Sequence, residues 1–306
     1  MTSILLYWNH ICVLHKHEKV FLDQLVENLR KNDIELTVRC FGLGYPEHMS
    51  EYLARHEAVL PDIIVSSDLE VFEDRRIFNK FSNDLYSVTQ WLPIKQDAAT
   101  RAALRDERLL PFLSIPLVYY TSNLAKCAGK SICEQESFAF GGINNSAGKT
   151  ITKAVWSRYG KDAARRLLET AEIADMPIGG FQQVRTGNKS AALVPSLYAL
   201  RADGQNTFLQ MPLEGPTLIS SYFCVRNSIS PSIGKILTEA IVCKELCSFY
   251  AENGDLIVHP DCITHRSQQE NEIYFVPDKD WYETVSPEEF YDLYCEALPT
   301  AKKPFF

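Results

Sequence analysis

The chain has 306 residues, 46% of them apolar and 23% charged, and a formal net charge of −8. That length exceeds one ordinary core and suits two lobes of roughly 100–150 residues each. The acidic balance argues against a nucleic-acid partner, which needs a basic face to displace counterions. No apolar run approaches the roughly 18 residues of a membrane-spanning helix, so no membrane insertion is expected.

The first apolar run, Ile4–Trp8, ends at Asn9-His10, with no basic residue before it and no small-residue cleavage site after it. A secretory signal needs a basic start and about 7–15 apolar residues. The run is therefore expected to be a first strand, and the chain as it stands to be cytoplasmic; an extracytoplasmic location would mean that an export segment has been removed. Nine cysteines run from Cys12 to Cys295 without a CxxC. They read as reduced thiols rather than as a zinc site.

Further along, Val20, Phe21, Leu22, Leu25, Val26 and Leu29 recur at helical spacing, and Ile34, Leu36, Val38 and Cys40 alternate as a strand does. A helix is expected over 49–59, stopped by Pro61-Asp62, then a buried strand at Ile63-Ile64-Val65. This β-α-β-α-β series predicts a parallel sheet with helices on both faces. Strands are predicted at 115–120 after Pro111, at 137–140, at 191–194 ending at Pro195-Ser196, and at 217–225. Helices are predicted over 149–159 and 161–171, broken at Gly160, and over 233–250 in two pieces. Ser286-Pro287-Glu288-Glu289 reads as a helix start with Glu289 completing a capping box.

In open α/β sheets, ligands sit beyond the carboxyl ends of the strands. Asn9 and His10 follow the first strand, and Ser66, Ser67 and Asp68 follow the third. The last three fit a pocket rim and equally a helix cap. His10 is the histidine expected in the pocket, as a metal ligand or as a donor to an anion. His15 and His17 point about 200° apart on a helix and cannot chelate one ion together; His259 and His265 are expected in solvent.

Gly141–Thr150 resembles a phosphate loop but misses G-x-x-x-x-G-K-[ST], because the first glycine would have to stand at Ile143. The better reading is a helix N-terminus whose free N–H groups near Asn145, Ser146, Ala147 and Gly148 meet an anionic group. No Ser-His-Asp order, Cys-His site or H-E-x-x-H helix is recognised, and Cys12 near His10 is too little to make a catalytic pair, so no enzyme is expected.

Several stretches in order resemble the type II periplasmic binding fold, near the iron(III)- and thiamine-binding solute-binding proteins of ABC transporters. They are Pro61–Asp68, Leu113–Thr121, Val194–Ala199, Met211–Thr217 and Ile241–Gly254 followed by Pro260. The resemblance implies an α/β, two-lobed fold in which each lobe is a mixed, mostly parallel sheet flanked by helices, with two crossover strands as hinge. Lobe I would comprise 1–112 and 226–275, and lobe II 113–225 and 276–306. It implies a monomer that closes around a small molecule or ion, with an anionic group or as a metal chelate, for ABC-type uptake or sensing, and an ABC permease as partner. It implies no cofactor, though a metal ion or small anion could be the ligand. Ser196 and Tyr198 would lie on the second-lobe ligand loop. Tyr119 is a further candidate contact, although the adjacent pair Tyr119-Tyr120 sits on the crossover strand, where ferric-iron relatives do not carry their tyrosine pair. Glu214 could meet a cationic group, and Trp8 could floor an organic ligand or fill the core. The alternative is a cytosolic enzyme on the same fold, such as those of thiamine synthesis.

Overall fold

A computed structural model describes residues 1–303 except 12, 43, 136–137 and 264–272. The chain opens as β1 (Thr2–His10), α1 (His15–Arg30), β2 (Ile34–Gly42), α2 (Met49–Ala54) and β3 (Ile63–Ser66), then three short helices, α3 (Glu70–Glu73), α4 (Arg75–Phe78) and α5 (Ala98–Ala103). The middle comprises β4 (Leu110–Thr121), α6 (Leu124–Cys127), β5 (Ala139–Gly141), α7 (Ser146–Tyr159), α8 (Lys161–Thr170), β6 (Glu172–Ala174), α9 (Pro177–Arg185), β7 (Ala191–Pro195), α10 (Ser196–Ala199), β8 (Phe208–Gln210) and β9 (Thr217–Val225). It ends in α11 (Pro231–Ile241), α12 (Lys244–Glu252), β10 (Leu256–Ile257), α13 (Lys279–Thr284) and α14 (Pro287–Ala297).

One curled sheet runs through the molecule in the order β2-β1-β3-β9-β4-β7-β5-β6, with β8 and β10 also on β4. Each end of it is parallel: β1 with β2 and β3, and β5 with β6 and β7. Between them β4 and β9 run antiparallel, from Leu110 opposite Phe223 to Leu117 opposite Thr217. The far half of β9 joins β3, and the far half of β4 joins β7. These two strands are therefore the crossovers between lobes, and all of their residues are buried. Burial on both faces accounts for their largely apolar sequences, and the buried Ser114 and Ser220 hydroxyls pair with each other at 3.2 Å.

The apolar periodicities named above become the buried faces. Phe21, Leu22, Leu25 and Leu29 of α1 are buried, and Phe21 packs against Trp8 of β1. Gly160 separates α7 from α8 with φ +88°, a conformation that favours glycine. Trp156 of α7 packs against Trp281 of α13 and Phe290 of α14.

Four expectations are corrected. The helix from Met49 stops at Ala54, because Arg55 is already extended, and Tyr52 Oη accepts the Val59 N–H in place of a helical partner. Pro111 lies inside β4, where the register shifts between Pro111 and Leu113, instead of preceding the strand; a bulge is where a strand tolerates proline. Ser286 does cap α14 by accepting the Glu289 N–H, but the Glu289 carboxylate pairs with Lys161 at 2.9 Å. The predicted strand at 137–140 begins at Ala139, and Ser137 lies outside the described residues.

Candidate functional site: a cleft between the lobes

A cleft of about 560 Å³ opens where the carboxyl ends of the parallel strands of both lobes meet. Asn9, His10 and Ile11 follow β1, Gly44 and Tyr45 follow β2, Ser67 and Asp68 follow β3, Met176 and Pro177 follow β6, and Leu197 and Tyr198 follow β7. The N-cap and first turn of α7 supply Asn145, Ser146, Ala147 and Lys149. Ile115 and Ile219 of the crossover strands form part of the wall. The size and mixed lining suit a small-molecule site.

The cleft floor is electrostatically structured. His10 Nδ1 lies 2.6 Å from Glu18 Oε2, and both side chains are buried. Glu18 also accepts the Ile11 N–H and, at 2.6 Å, the Tyr250 hydroxyl. Burial by itself would lower the His10 imidazole, but hydrogen bonds to Cys40 and Glu18 and the Glu18 charge outweigh it and raise it to about 9. His10 is thus an imidazolium at neutral pH, and its ring stacks on Tyr45 at 5.6 Å. Among the described residues, no group of three or more His, Cys, Asp or Glu could hold a metal ion.

Beside it, Asn9 Nδ2 donates to Ser67 Oγ at 3.1 Å, while Asn9 Oδ1 is buried without a hydrogen-bond partner among the described residues. A buried acceptor left unpaired is costly. Asp68 Oδ2 accepts the Ser50 N–H at 2.9 Å, so Asp68 caps the neighbouring α2 from across the loop and not the helix that follows it.

The lobes touch along one rim of the cleft. Ser146 Oγ donates to the Ser67 carbonyl at 2.6 Å, and Lys149 Nζ lies 2.5 Å from Glu70 Oε1. Behind them, Lys153 Nζ lies 2.5 Å from Glu73 Oε2, and Arg105 and the Tyr282 hydroxyl reach Glu73 Oε1. Burial by itself would raise the Glu73 carboxyl, but the Lys153 and Arg105 charges and hydrogen bonds hold it down at about 2.

Of the residues singled out in the sequence, Asn9, His10, Ser67, Asp68, Asn145, Ser146, Ala147 and Tyr198 line the cleft together. Ser66 lies beneath it, its hydroxyl accepting the Asp68 N–H. Gly148 is packed behind it; its N–H goes to the Gly142 carbonyl, and the Ala147 N–H goes to Asn145 Oδ1. The N–H groups of Ala147 and Gly148 are therefore not free for an anion, as the sequence suggested, because the loop caps its own helix. Ser196 donates to the Gly254 carbonyl at 2.9 Å. Tyr119 is buried against Phe138, and Trp8 against Phe21 and Phe112. Glu214 accepts from Ser131, Ile132 and, at 2.8 Å, Tyr159, and caps a short helical turn away from the cleft. Cys12 and His265 lie outside the described residues.

Tyr45, Lys149, Met176 and Lys302 also line the cleft and were not named as site residues from sequence. The strand-end argument applied to β2 and β6 would have found Tyr45 and Met176. Lys302 carries no local signal: it arrives because its N–H binds Asn144 Oδ1 at 2.7 Å from 158 residues away.

No protein-family model matches the sequence, and no curated protein does. Solved structures do resemble it. Iron-bound HitA from Pseudomonas aeruginosa is 12% identical over 97% of this chain and 100% of that one, with a TM-score of 0.65. A Bordetella ferric binding protein is 13% identical over 96% and 98%, with a TM-score of 0.64. AfuA from Actinobacillus pleuropneumoniae, solved with fructose-6-phosphate, is 11% identical over 98% of each chain, with a TM-score of 0.58. With near-complete coverage in both directions, this chain has the two-lobed α/β fold of the periplasmic binding proteins.

Proposed function

We propose that this chain is a solute-binding protein that closes its lobes around one small molecule, for delivery to an ABC-type permease or for sensing. The observation that carries this reading is the cleft itself: strand ends and helix starts from both lobes line one cavity whose wall includes the two crossover strands. A ligand touching both sides favours the closed arrangement by its differential affinity for it. The solute that fits best has an apolar body against Tyr45, Ile115, Leu197, Tyr198 and Ile219, a hydrogen-bond donor for Asn9, and an anionic group near His10. We place the lobe boundary in the crossovers, with 1–112 and 226–275 on one side and 113–225 and 276–306 on the other. The contact of Tyr250 with Glu18 and the packing of α13 and α14 on α7 support that division.

Native mass spectrometry of the purified protein tests the proposal. A small molecule that co-purifies and is lost on denaturation is the expected result. Steady turnover of that molecule under saturating conditions would instead favour an enzyme on the same fold.

A further inference from the structure

Three thiols meet at α12, the helix whose Tyr250 hydroxyl also reaches Glu18 beneath the cleft. Cys243 is the N-cap of the helix and Cys247 lies one turn on, so the two share a side. The chain then passes through β10 and returns to the same helix at Cys262. Cys262 Sγ lies 3.5 Å from Ser248 Oγ and 3.6 Å from the Lys244 carbonyl oxygen, positions that flank Cys247 on the helix surface. Cys247 lies between Lys244 and Ser248 on the helix, and both cysteines are buried. Lys95 Nζ donates to the Cys262 carbonyl at 2.6 Å, which anchors the returning segment.

We propose that Cys247 and Cys262 form a redox couple that a small-molecule disulfide of the glutathione type oxidises to an internal disulfide. In the first step the Cys262 thiol gives its proton to solvent, and its sulfur attacks one sulfur of the oxidant, forming a mixed disulfide and expelling one thiolate. In the second, the Cys247 sulfur, also deprotonated, attacks the Cys262 sulfur and expels the second thiolate. Two protein thiols are oxidised, one disulfide is reduced to two thiols, and the two protons are taken up by the leaving thiolates. The product staples the chain after β10 to α12. Because Leu256 and Ile257 of β10 pair with Ser114 and Leu113 of the crossover strand β4, the staple restrains the chain next to the hinge. Burial pushes the Cys247 thiol well above its usual range, so exchange is slow in the folded protein and proceeds through local opening of the segment that carries Cys262.

The test uses the full chain, equilibrated in oxidised glutathione or in excess dithiothreitol, quenched in acid, alkylated and digested without reduction. Trypsin cleaves after Lys244 and Arg266, which releases Cys247 and Cys262 on one peptide and leaves Cys243 on another. The expected result is that the 245–266 peptide from the oxidised sample is unalkylated and lighter by two hydrogens. The oxidised protein should also melt about 3–8 °C higher than the reduced one. Cys262→Ser should abolish both changes, whereas Cys133→Ser, at an exposed free thiol, should abolish neither. Full alkylation of Cys247 and Cys262 in the oxidised sample, or a cross-link of Cys247 to Cys243, overturns the proposal, and the wild-type peptide map decides this even if the Cys262 variant fails to fold.

Discussion

Ser146 Oγ and the carbonyl oxygen of Ser67 lie 2.6 Å apart, although 79 residues separate them in the chain. The same hydroxyl accepts the Leu69 N–H at 3.3 Å, so one small side chain at the start of α7 satisfies two backbone groups of the loop after β3. Both serines line the cleft. An indole in place of either hydroxymethyl group would occupy the gap and hold the lobes apart. Ser67→Trp and Ser146→Trp are each expected to abolish retention of the bound solute in native mass spectra, with the circular dichroism spectrum unchanged. Retention in both variants would move the binding site elsewhere.

His10 supplies a pH signature. Its folded-state value of about 9 exceeds the unfolded value of 6.5, so the charged form is stabilised on folding. That contribution is complete below pH 6.5 and is lost as pH rises through about 9. His10→Gln should therefore flatten the fall in melting temperature between pH 6.5 and 9, by a few degrees at most. An anionic solute should also bind more weakly above pH 9 in the wild type. A melting curve whose pH dependence is identical in variant and wild type would remove His10 from this role.

Glu73 is the hub of the inter-lobe ion pairs. Its side chain and that of Lys153 are each 8% exposed, whereas Arg105 retains contact with solvent at 27%. Glu73→Gln leaves a buried ammonium without its partner. The expected cost is about 3 kcal/mol in urea unfolding, at the lower end for a broken buried pair because Arg105 can be hydrated. The wild type should lose the same contribution in acid: the carboxyl is held at about 2 against 4.5 unfolded, so the stabilisation is present above pH 4.5 and disappears as pH falls through about 2.

Gly148 is a close-approach position. A Cβ there would stand 2.7 Å from the Gly142 carbonyl oxygen and 2.8 Å from the Tyr294 hydroxyl. Gly148→Ala should cost about 1–3 kcal/mol, as overpacking does, seen as a lower urea midpoint with an unchanged slope. A stability equal to wild type would show that the loop before α7 relaxes freely.

What could be read locally was read well. Apolar alternation in 34–40, helical spacing in 20–29 and the break at Gly160 are short-range consequences of burying one face, and they gave the elements, while the two-lobed arrangement came from chain length and from the resemblance to the periplasmic binding fold. The strand-end argument brought Asn9, His10, Ser67 and Asp68 to one cavity because a parallel sheet aligns its carboxyl ends. Other features depend on partners far along the chain. Glu214 is claimed by Ser131 and Tyr159, and Ser196 by Gly254. Tyr119 is turned into the core, and His10 owes its charge to Glu18 and Cys40 on neighbouring elements. Hydrogen bonding and charge act over a few ångströms in space, so sequence pattern determined which segments form strands and helices here, while the folded arrangement alone decided which polar groups were left to meet a ligand.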